Sequence, residues 1–152
     1  MSIAWIYLDK RLAAIDALSD YAGMEHIVTT CPVDLTDMWE QITSAASSVP
    51  TGMPGLNDPH AGEARLAASI DEIDVLKERY RRALEYMEWF RPAWESLNED
   101  DRFVLSEFYV YCNNSQEDAV GNICDRFNIA RSSAYNKKNH ALARLVLFLY
   151  GK

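Results

Sequence analysis

Cysteine is scarce in this sequence. Three cysteines, Cys31, Cys112 and Cys124, are spread over 152 residues. Their number is odd and none forms a C-x-x-C pair, so they predict neither a disulfide framework nor a zinc site. We expect buried thiols in a reducing cytoplasm.

Long apolar runs are also missing. No stretch approaches the roughly 18 uncharged apolar residues that a transmembrane helix needs. The first eleven residues carry one acid and two bases without a cleavage pattern, which argues against a secretory signal. The sequence therefore predicts a cytoplasmic protein with no membrane partner.

The motifs of common enzyme classes are lacking as well. No H-E-x-x-H, G-x-S-x-G or glycine-rich phosphate loop occurs, and His26, His60 and His140 fall on separate predicted elements. We therefore expect no catalytic residue, no metal site and no cofactor, and predict that the protein is not an enzyme.

One carboxylate pair, Glu85 and Glu88, lies on a predicted helix. Two carboxylates three residues apart share a helix face and resemble half of the metal-binding signature of all-α nucleotide pyrophosphatases. Arg81, Arg82 and Arg91 crowd the same region. Opposite charges three and four residues apart favour ion pairs along the helix, which is the interpretation we prefer.

Strand patterns are nearly absent, so the predicted fold is all-α: a helical hairpin or coiled-coil arm followed by a helix-turn-helix domain. The predicted segments are N-terminal helices at 1–42, a flexible linker at 43–63, a long arm helix at 64–96 and the helix-turn-helix domain at 97–152.

Glycine and proline refine these boundaries. Gly23 predicts the end of the first helix, and a short helix over residues 33–42 follows Pro32. Pro92 predicts a kink or a break of the long helix close to Phe90.

The long helix carries more apolar surface than the first helix can cover. We therefore expect Ile73, Tyr80, Leu84 and Met87 to pack partly against a second subunit in a homodimer. The alternative is a monomer in which the helix at 33–42 covers the excess.

Helix-start signals divide the last third of the chain. Asn98 precedes three acids, which is typical of an N-cap at the positive end of the helix dipole. Ser115 and Asp118 match a capping box. Asn128 stands where a turn needs a left-handed residue, and a final helix is predicted from Arg131 to Leu149.

Charge is distributed unevenly along the chain. The net charge is −8, but residues 119–152 hold six basic residues and one acid, Asp125, a net of +5. The first 118 residues therefore carry −13. Because phosphate binding depends on local charge, the acidic total does not exclude a DNA partner.

The final helix concentrates residue types suited to DNA. Ala134, Ala141, Leu142 and Leu145 are predicted to face the core. The candidate DNA-binding residues on the opposite face and its flanks are Arg131, Ser132, Ser133, Asn136, Lys137, Lys138, Asn139 and His140. Asparagine bonds adenine edges, and lysine and arginine neutralise phosphates. The alternative is a polar face that contacts only solvent.

This region resembles the C-terminal helix-turn-helix of phage-encoded sigma-like transcription regulators of the RinA and ArpU type. Phe127, Asn128, Ile129 and Ala130 match the turn in spacing, and Ala141–Leu145 matches the closing segment. Asn128 replaces the usual glycine, and Ala130 replaces the serine that usually caps the recognition helix.

The resemblance implies a regulator of phage or prophage transcription that binds double-stranded DNA in the bacterial cytoplasm. Its acidic arm would assemble the protein or contact RNA polymerase or another host protein. The second hypothesis is a phage accessory protein whose acidic surface binds a host protein, with the helix-turn-helix as scaffold or autoregulator.

Overall fold

A computed structural model describes residues 9–47, 59–111 and 113–151 of the chain. The helices are α1 (Lys10–Ser47), α2 (Pro59–Ser96), α3 (Glu99–Leu105), α4 (Gln116–Phe127) and α5 (Arg131–Tyr150), and α3 continues into a wider π-helical turn at Ser106–Val110. Within these ranges there is no strand, so the all-α prediction is confirmed. None of the described helices has the length and apolar character to cross a membrane.

Helix α1 passes through both predicted break points. It is continuous across Gly23 and Pro32, so the predicted helix end and the separate short helix at 33–42 are wrong. An internal glycine costs about 1 kcal/mol and a proline about 3 kcal/mol of helix stability. Leu18 before Gly23 and Cys31 between Gly23 and Pro32 are buried, and their packing offsets part of these losses.

Helix α2 likewise continues past Pro92 to Ser96, so the helix is not broken near Phe90. Ala93, Trp94 and Leu97 after the proline are buried, like Phe90 before it. This packing on both sides of the proline offsets the loss of one backbone hydrogen bond.

The predicted linker at 43–63 is too long. Its first five residues belong to α1, and its last five belong to α2. Residues 48–58 lie outside the described residues.

The chain forms two compact units: Glu25–Glu85, and Met1–Met24 together with Tyr86–Lys152. The second of these, called the larger unit, contains a core to which α1, α2, α3 and α5 all contribute. Its fully buried side chains include Leu18, Phe90, Leu105, Leu142 and Leu145.

Aromatic rings fill one side of this core. Phe90 stacks on Tyr86 with ring centroids 5.3 Å apart, and on Trp94 at 5.9 Å. The Tyr86 hydroxyl donates a hydrogen bond to the Ala17 carbonyl oxygen at 2.5 Å. Because burial withdraws the phenol from water, the pKa of Tyr86 is raised above its ordinary value.

A smaller cluster joins α3, α4 and α5. Val104, Val120, Ile123 and Ala134 are buried in it, and Phe103, Phe108, Cys124, Phe127 and Ile129 pack around them. This cluster fixes α4 and α5 against each other.

The other unit, Glu25–Glu85, pairs a segment of α1 with a segment of α2. The Cys31 thiol faces the Leu76 carbonyl oxygen at 4.0 Å, and farther along α1 Met38 lies beside Asp71 and Val75. The two segments therefore lie side by side.

The predicted dimer surface is partly wrong. Ile73 and Met87 are 1% and 4% exposed, so the chain itself already covers both side chains. Tyr80 and Leu84 are half-buried. Two of the four residues that the sequence assigned to a second subunit are therefore buried within the chain.

Candidate nucleic-acid interface

The turn between α4 and α5 is short and sharply defined. Asn128 lies in the left-handed region with φ 52° and ψ 51°, and its N–H donates to the Cys124 carbonyl oxygen. The Ile129 N–H donates to the same oxygen at 3.2 Å. Asparagine tolerates this conformation better than most residues, so the prediction made for Asn128 is confirmed.

Both predicted caps upstream of the turn are present. The Asn98 side chain accepts the Asp101 N–H at 2.7 Å and starts α3. Ser115 accepts the Asp118 N–H at 3.1 Å, and Asp118 accepts the Ser115 N–H at 3.2 Å, which completes a capping box at the start of α4.

A buried carboxylate ties the π-helical turn to its neighbours. Glu107 is 8% exposed, and one of its oxygens accepts the side-chain amides of Asn114 and Asn122, each at 2.9 Å. These bonds hold the loop before α4 and the outer side of α4 to the turn after α3. No periodic pattern in the sequence indicates this contact.

The inward and outward faces of α5 follow the prediction. Ala134, Ala141, Leu142 and Leu145 are buried. Of the candidate DNA-binding residues, Arg131, Ser132, Asn136, Asn139 and His140 are exposed, while Ser133, Lys137 and Lys138 are half-buried. The N-cap of this helix, Ala130, makes no side-chain capping bond, as its lack of a hydroxyl requires.

Neighbouring acids neutralise some cations of this region and leave others unpaired. Arg126 pairs with Glu99 at 3.2 Å, and Arg144 pairs with Asp101 at 2.5 Å. Among the described residues, the three predicted phosphate-binding cations, Arg131, Lys137 and Lys138, form no ion pair.

Aromatic rings position the two lysines without removing their charge. The Lys137 ammonium lies 4.5 Å from the Phe127 ring centroid. The Lys138 ammonium lies 5.0 Å from the Phe108 centroid and 5.4 Å from that of Tyr135. Such contacts attract the ammonium to the ring face and restrict its direction. Burial, and secondly the charge of Arg11, lower the pKa of Lys138.

Sequence reasoning missed one basic residue next to α5. Arg11, in the first turn of α1, donates from Nη2 to the Asn139 side-chain oxygen at 2.8 Å. The two residues also border a shallow cleft whose other walls are Leu142, Ala143 and Val146. Because 128 positions separate Arg11 from Asn139, no local pattern could have indicated this contact.

The described residues contain no group of three or more histidine, cysteine, aspartate or glutamate side chains that could hold a metal ion. The Glu85 carboxylate instead accepts from Arg81 at 2.5 Å. The predicted ion pairing along α2 is therefore confirmed for Glu85.

Comparison of the chain with protein families, with curated proteins and with solved structures gives no match.

Proposed function

We propose that this protein is a DNA-binding regulator of phage or prophage transcription whose helix α5 enters the major groove. The observation that supports this proposal most directly is which cations around α5 are paired with acids and which are not. Arg131, Lys137 and Lys138 have no acidic partner among the described residues, whereas Arg126 and Arg144 are neutralised by acids. Unpaired cations flanking an exposed row of serine and asparagine suit a helix that meets phosphates at its edges and bases at its centre.

Separate roles follow from the positions on α5. Lys137 and Lys138 would neutralise phosphates, and Asn136, which is exposed at the centre of the outward face, would bond a base edge. The sigma-like interpretation rests on the Phe127–Ala130 turn and the closing segment Ala141–Leu145. The backbone of Asn128 has the left-handed conformation that a turn of this kind needs, and this supports the interpretation.

A homodimer belongs to the same proposal. Helix-turn-helix proteins commonly reach sufficient affinity by placing two copies on two half-sites. Leu66 and Ile70, one turn apart on α2, are 47% and 41% exposed and would supply part of the contact. They replace Ile73 and Met87, which the chain itself covers.

Binding to random duplex DNA across salt concentrations tests the proposal. Wild type should bind more weakly as salt rises, because neutralising phosphates releases counterions. Replacing Lys137 and Lys138 by alanine should weaken binding to all sequences alike and reduce the slope of log affinity against log salt by about two. The control, Arg65→Ala with Arg79→Ala, removes two exposed cations of α2 and should change neither quantity.

Equal slopes for wild type and the Lys137/Lys138 variant would remove α5 from the proposal. Failure of the wild type to bind any duplex would contradict DNA binding itself.

A second candidate function is binding to a basic host protein. The unit Glu25–Glu85 holds eleven acids and five bases, a net charge of −6. An acidic surface of this kind attracts the basic grooves of nucleic-acid-binding proteins. Absence of duplex binding, together with retention of a purified RNA polymerase by the wild type and not by a variant with Asp71 and Glu72 changed to asparagine and glutamine, would favour this function.

A further inference from the structure

The guanidinium of Arg11 lies against the face of α5 that would meet DNA. It is held by Asn139, which follows Lys138 directly, and Arg11 itself is exposed. The cleft that it borders continues along α5 to Val146, whereas the guanidinium itself contacts Asn139 near the middle of that helix. The first helix thus adds a positive charge to the middle of α5, next to Lys138.

This charge is not neutralised within the described residues, where Arg11 forms no ion pair. The acid nearest in sequence, Asp9, has another role. Its Oδ1 accepts the backbone N–H groups of Arg11 at 3.1 Å and of Leu12 at 3.2 Å, and so caps the start of α1. The guanidinium keeps four further N–H donors besides the one used on Asn139.

We propose that Arg11 binds a phosphate of the DNA backbone beside Lys138, and that Asn139 is a positioning residue for Arg11 instead of a reader of bases. This inference rests on the proposed function. It revises the sequence-based role of Asn139, whose side-chain oxygen is already engaged by the guanidinium.

The chemistry favours a phosphodiester as the ligand. A guanidinium is a planar, permanently charged donor that matches two phosphate oxygens at once. Arg11 and Lys138 are close enough for the charge of Arg11 to lower the pKa of Lys138. Two cations that repel each other are stabilised when an anion binds next to both, so phosphate binding relieves this repulsion.

Salt-dependent DNA binding of Arg11→Gln tests the inference. The variant should weaken binding to all duplexes and lower the salt slope by about one. Its deficit relative to wild type should therefore be about 3.5-fold larger at about 50 mM than at about 200 mM salt. Arg11→Lys keeps the charge and should keep the slope, and Arg65→Gln on α2 is the matched control with no expected effect. Helical content and melting temperature of each variant establish that it is folded.

Asn139→Ala tests the positioning role. It should weaken binding less than Arg11→Gln does, have no additional effect in an Arg11→Gln background, and leave the preferred DNA sequence unchanged. Residues that act through each other show this non-additivity.

If the folded Arg11→Gln variant has the same salt slope as the wild type, the phosphate contact is overturned. The proposed function would remain, because the Lys137/Lys138 variant tests it separately. A changed sequence preference in Asn139→Ala would overturn its positioning role. If wild type binds no duplex, the proposed function and this inference both fail.

Discussion

At the level of single residues, an ion pair with a neighbouring acid decides whether a basic side chain is still available to bind a ligand. Glu99 pairs with Arg126, and Asp101 pairs with Arg144. No acid follows Asp125 in the sequence, so helix α5 contains none. The cations of α5 can therefore form ion pairs only with acids of other elements. The net charge of a segment therefore overstates its binding capacity until such pairs are known.

Asn136 is expected to set sequence preference. A good bidentate contact to one base discriminates by about 1–3 kcal/mol. Sites selected from a random pool with Asn136→Ala should lose a defined base at one position per half-site, whereas the exposed-amide control Gln41→Ala on α1 should select the wild-type site. Identical sites for wild type and Asn136→Ala would mean that Asn136 reads no base.

Glu78 on α2 is expected to titrate far below an ordinary glutamate. Both oxygens accept from Arg81, at 2.8 and 2.9 Å, and Arg82 adds a bond at 2.8 Å. These hydrogen bonds to Arg81 and Arg82 lower the pKa of Glu78 to about 2. A lowered folded-state pKa stabilises the fold above the unfolded-state pKa, and this contribution is lost as pH falls from about 4.5 through about 2.

Carboxyl NMR titration of Glu78 checks this expectation. Arg81→Gln should raise the Glu78 pKa towards its ordinary value. Arg79→Gln removes a neighbouring cation that takes no part in the three bonds to Glu78, and it should leave the pKa low. An ordinary Glu78 pKa in wild type would show that solvent screens these pairs.

At the level of elements, the sequence predicted those starts and turns that depend on residues close together in the chain. Asn98, the Ser115–Asp118 box and Asn128 each satisfy backbone groups within four residues of themselves. Such local hydrogen bonding is readable from residue type and spacing. The inward face of α5 was readable for the same reason, since helical periodicity is local.

The errors arose where distant packing overrides local preference. Gly23, Pro32 and Pro92 are helix-breaking signals, yet α1 and α2 run through them. Tertiary packing buries Leu18 and Cys31 on the two sides of Gly23, and Phe90 and Trp94 on the two sides of Pro92. The contact of Arg11 with Asn139 was missed for a related reason. It depends on the tertiary placement of α1, which no periodicity encodes.

The start of α5 has no side-chain cap, and its stability should be improvable. Ala130 has φ −74° and ψ 159°, which are suitable N-cap angles, but it offers no acceptor to the first free N–H groups. Ala130→Ser should raise the free energy of unfolding by about 1 kcal/mol.

Chemical denaturation measures this change. The control Ala143→Ser, at an exposed position inside α5, should leave stability unchanged or slightly lower it, because serine is a poorer helix former than alanine. A loss of stability in Ala130→Ser would mean that the N-cap is constrained by contacts other than hydrogen bonding.

At the level of the whole molecule, apolar burial is uneven. The described part of Glu25–Glu85 buries only three hydrophobic side chains, Cys31, Ile73 and Ala83, whereas the described part of the larger unit buries seventeen. A two-helix unit with so little core gains stability from further apolar contact.

We therefore expect a homodimer whose contact includes Leu66 and Ile70. Light scattering at micromolar concentration should give twice the chain mass of 17.3 kDa. Leu66→Glu with Ile70→Glu should halve the measured mass, because charges at an apolar contact lose hydration. Ala67→Glu, on the same helix and also exposed, should leave the mass of the dimer unchanged.

A wild-type mass of 17.3 kDa would contradict the dimer. It would favour the sigma-like mode in which one copy binds DNA alongside RNA polymerase.

The placement of two tryptophans gives each unit its own optical reporter. Trp94 is 8% exposed and lies 5.4 Å from the Tyr21 ring in the larger unit, whereas Trp39, in the other unit, is 48% exposed with the Lys77 ammonium 5.5 Å from its ring. A shielded indole emits at shorter wavelength and resists a dissolved quencher, while an exposed one emits to the red and is quenched readily. Variants that keep one of these indoles and replace the other tryptophans would therefore show whether heat or denaturant melts the two units together or one before the other.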